Sequence, residues 1–229
     1  PPVNNTHLRG RISFMVDIIC ALCGEKQQVR VLYRATFNKK DLSKTTYSAR
    51  RLPDKIHYRI LKCTRCSLVF SSPILDYKKM STLYKKSVCS YEDQIPYLIK
   101  TYFKLVNDIK GFLPKNPKVL EVGCGNGYYL NLLNKLGFNL TLVGIDNDEL
   151  ALKDARKFIR NGEVKLILAD ANKLPLEENS FDKVIISEVI EHVESEQKVL
   201  SEIYRVLKPG GIMVLTTCNI DYPFLWDPA

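Results

Sequence analysis

The nine residues from Val119 to Gly127, Val-Leu-Glu-Val-Gly-Cys-Gly-Asn-Gly, constrain the fold of this chain more than any other stretch. The apolar start reads as a buried strand, and Gly123, Gly125 and Gly127 alternate through a tight turn. Apolar residues at helical spacing follow, so the turn opens a helix. Glycine there lets the backbone approach a ligand where a Cβ would clash. The helix start adds free N–H groups and a partial positive charge. A strand, a glycine turn and a helix N-terminus together are how an open α/β sheet cradles a nucleotide-like group. The turn does not follow the dinucleotide spacing G-x-G-x-x-G, and no Gly-Lys-Ser/Thr follows it to make a phosphate loop.

The residues downstream extend this reading. Residues 141–145 are an apolar strand ending at Asp146, about 20 residues past the glycines, the separation at which an acid meets a ribose. A carboxylate suits that role because it accepts two hydrogen bonds at once. A helix cap is the other reading of Asp146, since Asn147 and Asp148 open a helix. Residues 164–169 form a third strand, followed by Asp170 and Ala171. Residues 181–187 form a fourth, after a polar turn at residues 176–180. Lys208-Pro209-Gly210-Gly211 reads as a turn before a fifth strand at residues 212–217. Strands alternating with helices imply a parallel sheet with right-handed crossovers.

The pattern Glu121-x-Gly123-x-Gly125-x-Gly127, with Asp146 and Asp170 behind successive strands and a Lys-Pro-Gly-Gly turn, resembles the class I S-adenosylmethionine-dependent methyltransferases. The likeness covers residues 118 to about 217 and implies a Rossmann-like α/β sheet. It implies S-adenosylmethionine held by Glu121, Gly123, Cys124, Gly125 and Gly127, with Asp146 and Asn147 at the ribose and Asp170 and Ala171 at the adenine. Ser187 and Glu188 join that set from the end of the fourth strand. His192, one of three histidines, is the candidate general base for an acceptor proton; a capping or packing role is the alternative. The string Glu188-x-x-Glu191-His192 also resembles the metal-binding string of small-RNA 2′-O-methyltransferases, but that site needs a further histidine downstream and none follows. A class I core has seven strands and five are legible here, in a chain that runs from Pro1 to Ala229. The expectation is a C-terminally truncated sheet, a fragment of a longer protein.

Upstream stand two C-x-x-C pairs, Cys20 with Cys23 and Cys63 with Cys66. Each pair puts two thiolates on one turn, and two facing turns make a tetrahedral zinc site. Gly24 follows the first pair, and Ser67 takes that place after the second. Strand-like segments lie at residues 11–18, 28–35 and 57–61. No signal peptide or apolar spanning run is legible, so a cytoplasmic setting is expected and disulfides are not. A redox C-x-x-C would stand singly before a helix. Structural zinc fits a small domain with too little core of its own. With Phe70, Pro73 and Tyr91 downstream, this ribbon resembles that of bacterial and archaeal zinc-ribbon methyltransferases of sugar, polysaccharide and small-metabolite pathways.

The expected organisation is a zinc-ribbon β domain at 1–75, a helical linker at 76–115 and a methyltransferase core at 116–229. In the linker Ile95, Leu98, Ile99, Tyr102, Phe103, Val106 and Ile109 recur at helical spacing, and the helix is expected to cover the cofactor pocket. Tyr91 before it is read either as a contact to the methionine end of the cofactor or as an ordinary surface or core tyrosine. The chain has 229 residues, 45% of them hydrophobic, enough for one α/β core and a small satellite. Net charge is +9, but residues 1–115 carry 22 Lys and Arg against 8 Asp and Glu, and the rest 12 against 17. The basic half fits either a small-molecule acceptor bearing phosphate or, alternatively, nucleic acid, because basic patches bind phosphate without sequence preference. General lysine enrichment for solubility is the plain alternative. No membrane partner is expected.

Overall fold

A computed structural model of the chain describes residues 15–36, 56–84, 99–104, 114–135, 140–159 and 164–217. The chain divides into two compact units, Pro1–Glu92 with Asp227–Ala229, and Asp93–Trp226. The first holds β1 (Met15–Val16), β2 (Val29–Tyr33), β3 (Ile60–Cys63), β4 (Val69–Ser71), β5 (Ile74–Leu75) and helix α1 (Tyr77–Tyr84). β1 pairs antiparallel with β5, and β2, β3 and β4 form a second antiparallel sheet in that order. The strand read at residues 57–61 begins at Ile60, where pairing to both neighbours starts, with Leu61 opposite Val31 and Phe70. Of the alternation read at residues 11–18, Met15–Val16 is strand, and residues 11–14 lie outside the described residues.

In the second unit residues 99–104 are helical (α2), within the helix read at residues 95–109, whose remaining positions lie outside the described residues. Then follow β6 (Lys118–Val122), α3 (Tyr128–Lys135), β7 (Thr141–Asp146), α4 (Glu149–Phe158), β8 (Val164–Leu168), β9 (Phe181–Ser187), a 3-10 turn (Ile190–His192), α5 (Glu196–Val206) and β10 (Leu207–Thr216). The five strands are all parallel, in the order β10-β9-β6-β7-β8. This is the expected α/β, Rossmann-like sheet. The chain winds outward from β6 through β7 to β8, then returns to β9 on the other side of β6. The order therefore reverses between β6 and β9, and ligands bind at the carboxyl edge beside such a reversal.

Both faces of the sheet are covered, which is why its strands read as apolar runs rather than alternations. On one face Val119, Leu142 and Ile185 pack with Tyr129, Leu130 and Leu133 of α3 and Leu152 and Ala155 of α4. On the other, Leu120, Val143, Val184 and Ile186 pack with Val199, Ile203 and Val206 of α5, which share one helical face. Asp148 caps α4 by accepting from the Leu150 and Ala151 amides, and Ser195 caps α5.

The Lys-Pro-Gly-Gly segment departs from its expected place before the fifth strand. β10 starts earlier, with Leu207 opposite Phe181, then shifts register so that Ile212 faces Lys183. The four residues between are a bulge fastened by an ion pair, Lys208 Nζ to Asp182 Oδ1 at 2.8 Å. The other oxygen, Oδ2, accepts the Lys118 amide at 2.8 Å, so one carboxylate ties the starts of β6, β9 and β10 together. Burial opposes ionisation of Asp182, but the Lys118 amide and Lys208 outweigh it and hold its carboxyl below the usual value. Stability from such a group is complete above the unfolded carboxyl value of about 4 and lost as pH falls through the folded one. Asp182→Asn should therefore lower stability at pH 7, yet lose less on acidification to pH 3 than the parent, as read by urea unfolding at both pH values.

Candidate functional site

The glycine turn leaves β6 with Gly123, Gly125 and Gly127 at φ +74°, +49° and +73°, angles that L side chains rarely take. Two of the three are also required by packing. A Cβ on Gly123 would stand 2.3 Å from Cγ2 of Val189, beyond β9, and one on Gly127 would stand 2.8 Å from Ile159 Cδ1. Gly125 differs, with nothing within 4 Å of where its Cβ would be. That open side is a cradle that a side chain would fill.

The turn is fastened to the end of β7. The Gly123 and Cys124 amides both donate to the Ile145 carbonyl, at 2.7 and 3.0 Å. Gly125 N–H donates to Asp146 Oδ2 at 2.7 Å, and Asp148 N–H to Oδ1 at 2.8 Å. Burial pushes the Asp146 carboxyl above its usual value, against the pull of those two amides. Each oxygen keeps a second lone-pair direction, enough for a vicinal diol. Asn147 beside it is exposed.

Glu121 is 4% exposed and its Oε2 has no hydrogen-bond partner among the described residues. Burial, reinforced by Asp146, pushes its carboxyl well above the usual value. The Tyr129 hydroxyl, equally buried, also has no partner. Tyr102 of α2 meets the Tyr129 ring edge-on, with centroids 4.9 Å apart. Burial and the carboxylates of Glu121 and Glu188 push the Tyr102 hydroxyl up to about 12, which keeps it a proton-bearing donor near neutral pH. Ser187 Oγ is 2.7 Å from Thr216 Oγ1, and Glu188 N–H donates to the Thr216 carbonyl at 2.9 Å. Glu188, exposed, sits at φ +53°, a left-handed angle uncommon outside glycine.

Two strands away from β6, past β8, Asp170 is exposed and its Oδ1 accepts both the backbone and side-chain amides of Asn172 at 2.8 Å. Ala171 is half-buried next to it. The loop beyond is pinned to α5, where Glu202 Oε2 accepts the Leu174 amide and Arg205 donates to the Leu174 and Leu176 carbonyls. His192 is exposed at the end of the 3-10 turn that follows β9. Strand order thus sets Asp146 and Asp170 on one side of β6 and Ser187, Glu188 and His192 on the other, all at one carboxyl edge. Tyr102, Tyr129 and Val189 were not legible as site residues, since each reads as an ordinary apolar position of its own element. Tyr91 lies outside the described residues.

In the first unit the two cysteine turns share one backbone form. Gly24 N–H donates to the Cys20 carbonyl and Ser67 N–H to the Cys63 carbonyl, with Gly24 at φ +71° and Ser67 at φ +67°. Thr64 binds the Gln28 carbonyl through both its amide and its hydroxyl, joining the second turn to the start of β2. The four Sγ atoms lie within 4.8 Å of one another, with Cys20 and Cys66 at 3.3 Å. A tetrahedral site with metal–sulfur bonds of about 2.3 Å needs sulfurs about 3.8 Å apart, so the donor set fits a zinc-sized ion. Burial opposes the Cys20 thiolate, but hydrogen bonds from its neighbours hold it at about 7. At Cys23 the Glu25 amide favours the thiolate, yet burial and the three other sulfurs push it up to about 12. Four thiolates this close need a cation to coexist.

A family model described as a methyltransferase domain matches residues 113–226. The chain carries a class I S-adenosylmethionine-dependent methyltransferase domain. Demethylmenaquinone methyltransferase of Staphylococcus aureus is 40% identical over 102 residues, covering 44% of this chain and 42% of the relative. A ubiquinone/menaquinone biosynthesis C-methyltransferase of Desulfotalea psychrophila is 34% identical over 117 residues, covering 49% of this chain and 48% of the relative. A solved structure from Methanococcus maripaludis, described as a candidate S-adenosylmethionine-dependent methyltransferase, is 20% identical with a TM-score of 0.49, covering 64% of this chain and 66% of that one. The chain spans about half the length of the curated relatives it matches. Among the described residues, no helix is long and apolar enough to cross a membrane.

Two glycines of the turn, Gly123 and Gly125, should respond differently to a methyl group. Gly123→Ala should lower stability by at least about 2 kcal/mol, from left-handed strain and the collision with Val189. Gly125→Ala should cost only about 1 kcal/mol in stability, yet lower S-adenosylmethionine affinity more than tenfold. Urea unfolding and calorimetric titration on both variants check the split.

Proposed function

We propose that the protein transfers a methyl group from S-adenosylmethionine to a small molecule, a sugar, a nucleotide-linked sugar or another metabolite. The observation that carries this is the open left-handed turn at Gly125, whose amide is held 2.7 Å from the carboxylate of Asp146. Glu121, Gly123, Cys124, Gly125 and Gly127 would hold the methionine end. Asp146 and Asn147 would take the ribose, Asp170 and Ala171 the adenine, and Ser187 and Glu188 the side facing the acceptor. When bound, the cofactor supplies a methyl group on a positively charged sulfur. The residues of the chain then contribute alignment and exclusion of water, which can supply much of such a reaction's acceleration. His192 is the group to receive a proton from a hydroxyl or amine acceptor. Relatives named for quinone biosynthesis support a small-molecule acceptor.

Cys20, Cys23, Cys63 and Cys66 would hold one structural zinc in a ribbon domain at residues 1–75, with the linker at 76–115 and the core from 116 onward. Cysteines held as thiolates around a metal, rather than paired as disulfides, would fit a cytoplasmic location. The excess of Lys and Arg in residues 1–115 favours one second reading, an RNA methyltransferase that grips its substrate through the ribbon.

Two measurements test these readings. Radiolabelled methyl transfer by the full-length protein to cell extract should label the small-molecule fraction, and label confined to RNA would overturn the preferred acceptor class. Metal analysis should find zinc near one per chain, falling on Cys20→Ser. A metal content near zero in well-folded protein would reject the zinc assignment.

A further inference from the structure

The three-stranded sheet of the first unit sets two cations side by side with nothing to neutralise them. Arg30 of β2 stands opposite Lys62 of β3, and Lys62 stands opposite Val69 of β4. Residues so paired share a face with Cβ atoms about 5 Å apart, and like charges directly opposite are destabilising. The strands themselves offer no relief, since β2, β3 and β4 contain no Asp or Glu. Glu25, the acid closest in sequence to β2, already accepts the Lys26, Gln27 and Gln28 amides at Oε1. Arg59 is tied through Nε to the Ser72 carbonyl. Among the described residues, the side chains of Arg30 and Lys62 have neither a hydrogen-bond nor an ion-pair partner. Ile60 shares the face of Lys62 by alternation, and the residue opposite Ile60 is Tyr33, 46% exposed. His57 meets the Tyr33 ring edge-on, with centroids 6.4 Å apart.

We propose that this face of the sheet binds single-stranded RNA, with Arg30 and Lys62 on the phosphate backbone and a base stacked on Tyr33. The proposal rests on the second reading above, in which the ribbon grips RNA, and deepens it by naming the surface. Two unpaired cations held together are stabilised by an anion, and a chain of phosphates brings several at once. The excess of 22 Lys and Arg over 8 Asp and Glu in residues 1–115 adds long-range attraction of the same sign. Charge alone would fit an acidic peptide equally well. The exposed ring one row from the cations favours nucleic acid, because bases stack on aromatic side chains presented by a sheet. Stacking needs a base that is not already paired, which selects a single strand over a duplex. An open sheet face also suits an extended strand, whereas small molecules are held in concave pockets.

The cations and the ring give separate signals in one experiment, fluorescence anisotropy of a short labelled oligouridine titrated with the full chain across a salt series. Each phosphate contact contributes about 0.7 to the slope of log affinity against log salt for a single strand. Replacing both cations, Arg30→Gln with Lys62→Gln, should therefore flatten the slope by about 1.4. Tyr33→Ala should leave the slope unchanged and weaken binding about fivefold or more at fixed salt, and Tyr33→Phe should stay within about twofold of the parent. No binding by the folded parent at low salt, a doubly substituted chain with the parent's slope, or Tyr33→Ala matching the parent overturns the proposal. Polyglutamate displacing the oligomer as well as unlabelled oligouridine does would overturn it too, by showing that charge alone is read. Should Tyr33→Ala fail to fold, the slope of the doubly substituted chain decides. Methyl label in RNA with an unchanged slope would keep the RNA-acceptor reading and reject this surface. The expected loss of slope with label only in small molecules would keep the surface and reject the RNA acceptor.

Discussion

The hydrogen bonds from the glycine turn to the end of β7 hold the site in shape, and much of the second unit exists to support them. Gly123 and Cys124 share the Ile145 carbonyl, and Gly125 takes the Asp146 carboxylate. Those bonds require β6 and β7 to be parallel neighbours in register, Val122 beside Ile145. Register in turn depends on apolar packing on both faces of the sheet, because a buried parallel sheet has no solvent face to tolerate slippage. Val189 closes the turn from the other side and leaves Gly123 no room for a side chain. The turn is therefore clamped between β7 and the exit of β9, with Gly125 left open between them.

Buried acids give the pocket its chemical character. Glu121 and Asp146 are both pushed toward the protonated form by burial, and Asp146 adds to the cost of ionising Glu121. Such a pair is poorly suited to stabilising the fold alone. It is well suited to meeting hydroxyl donors and positive charge, and S-adenosylmethionine offers both, on its ribose and on its sulfonium and ammonium groups. The cysteine turns follow a similar logic in the first unit, where four sulfurs compete for ionisation and fit around one cation.

Local chemistry was legible in the sequence, and tertiary contact was not. The glycine turn, Asp146 and the cysteine pairs could be found because each is a pattern of spacing along the chain. Strands β6, β7 and β9 could be found because two-sided burial makes them continuous apolar runs. The bulge at residues 208–211 was hidden, since it follows from Lys208 reaching Asp182, 26 residues away. Ser67 concealed its left-handed angle because only the closed turn, with its amide on the Cys63 carbonyl, imposes it. Tyr102 was visible as one apolar position of a helix, and the ring it meets, Tyr129, belongs to another helix. Val189 carries no local signal at all, although it decides why Gly123 is glycine.

The most direct measurement is a crystal structure of the protein with S-adenosylhomocysteine bound. The ribose hydroxyls are expected on the Asp146 carboxylate, the adenine beside Asp170 and Ala171, and the amino-acid end over Gly125 near Glu121. A ligand seated away from the glycine turn, or an empty turn at saturating ligand, would contradict the assignment of this edge as a methyl-donor pocket.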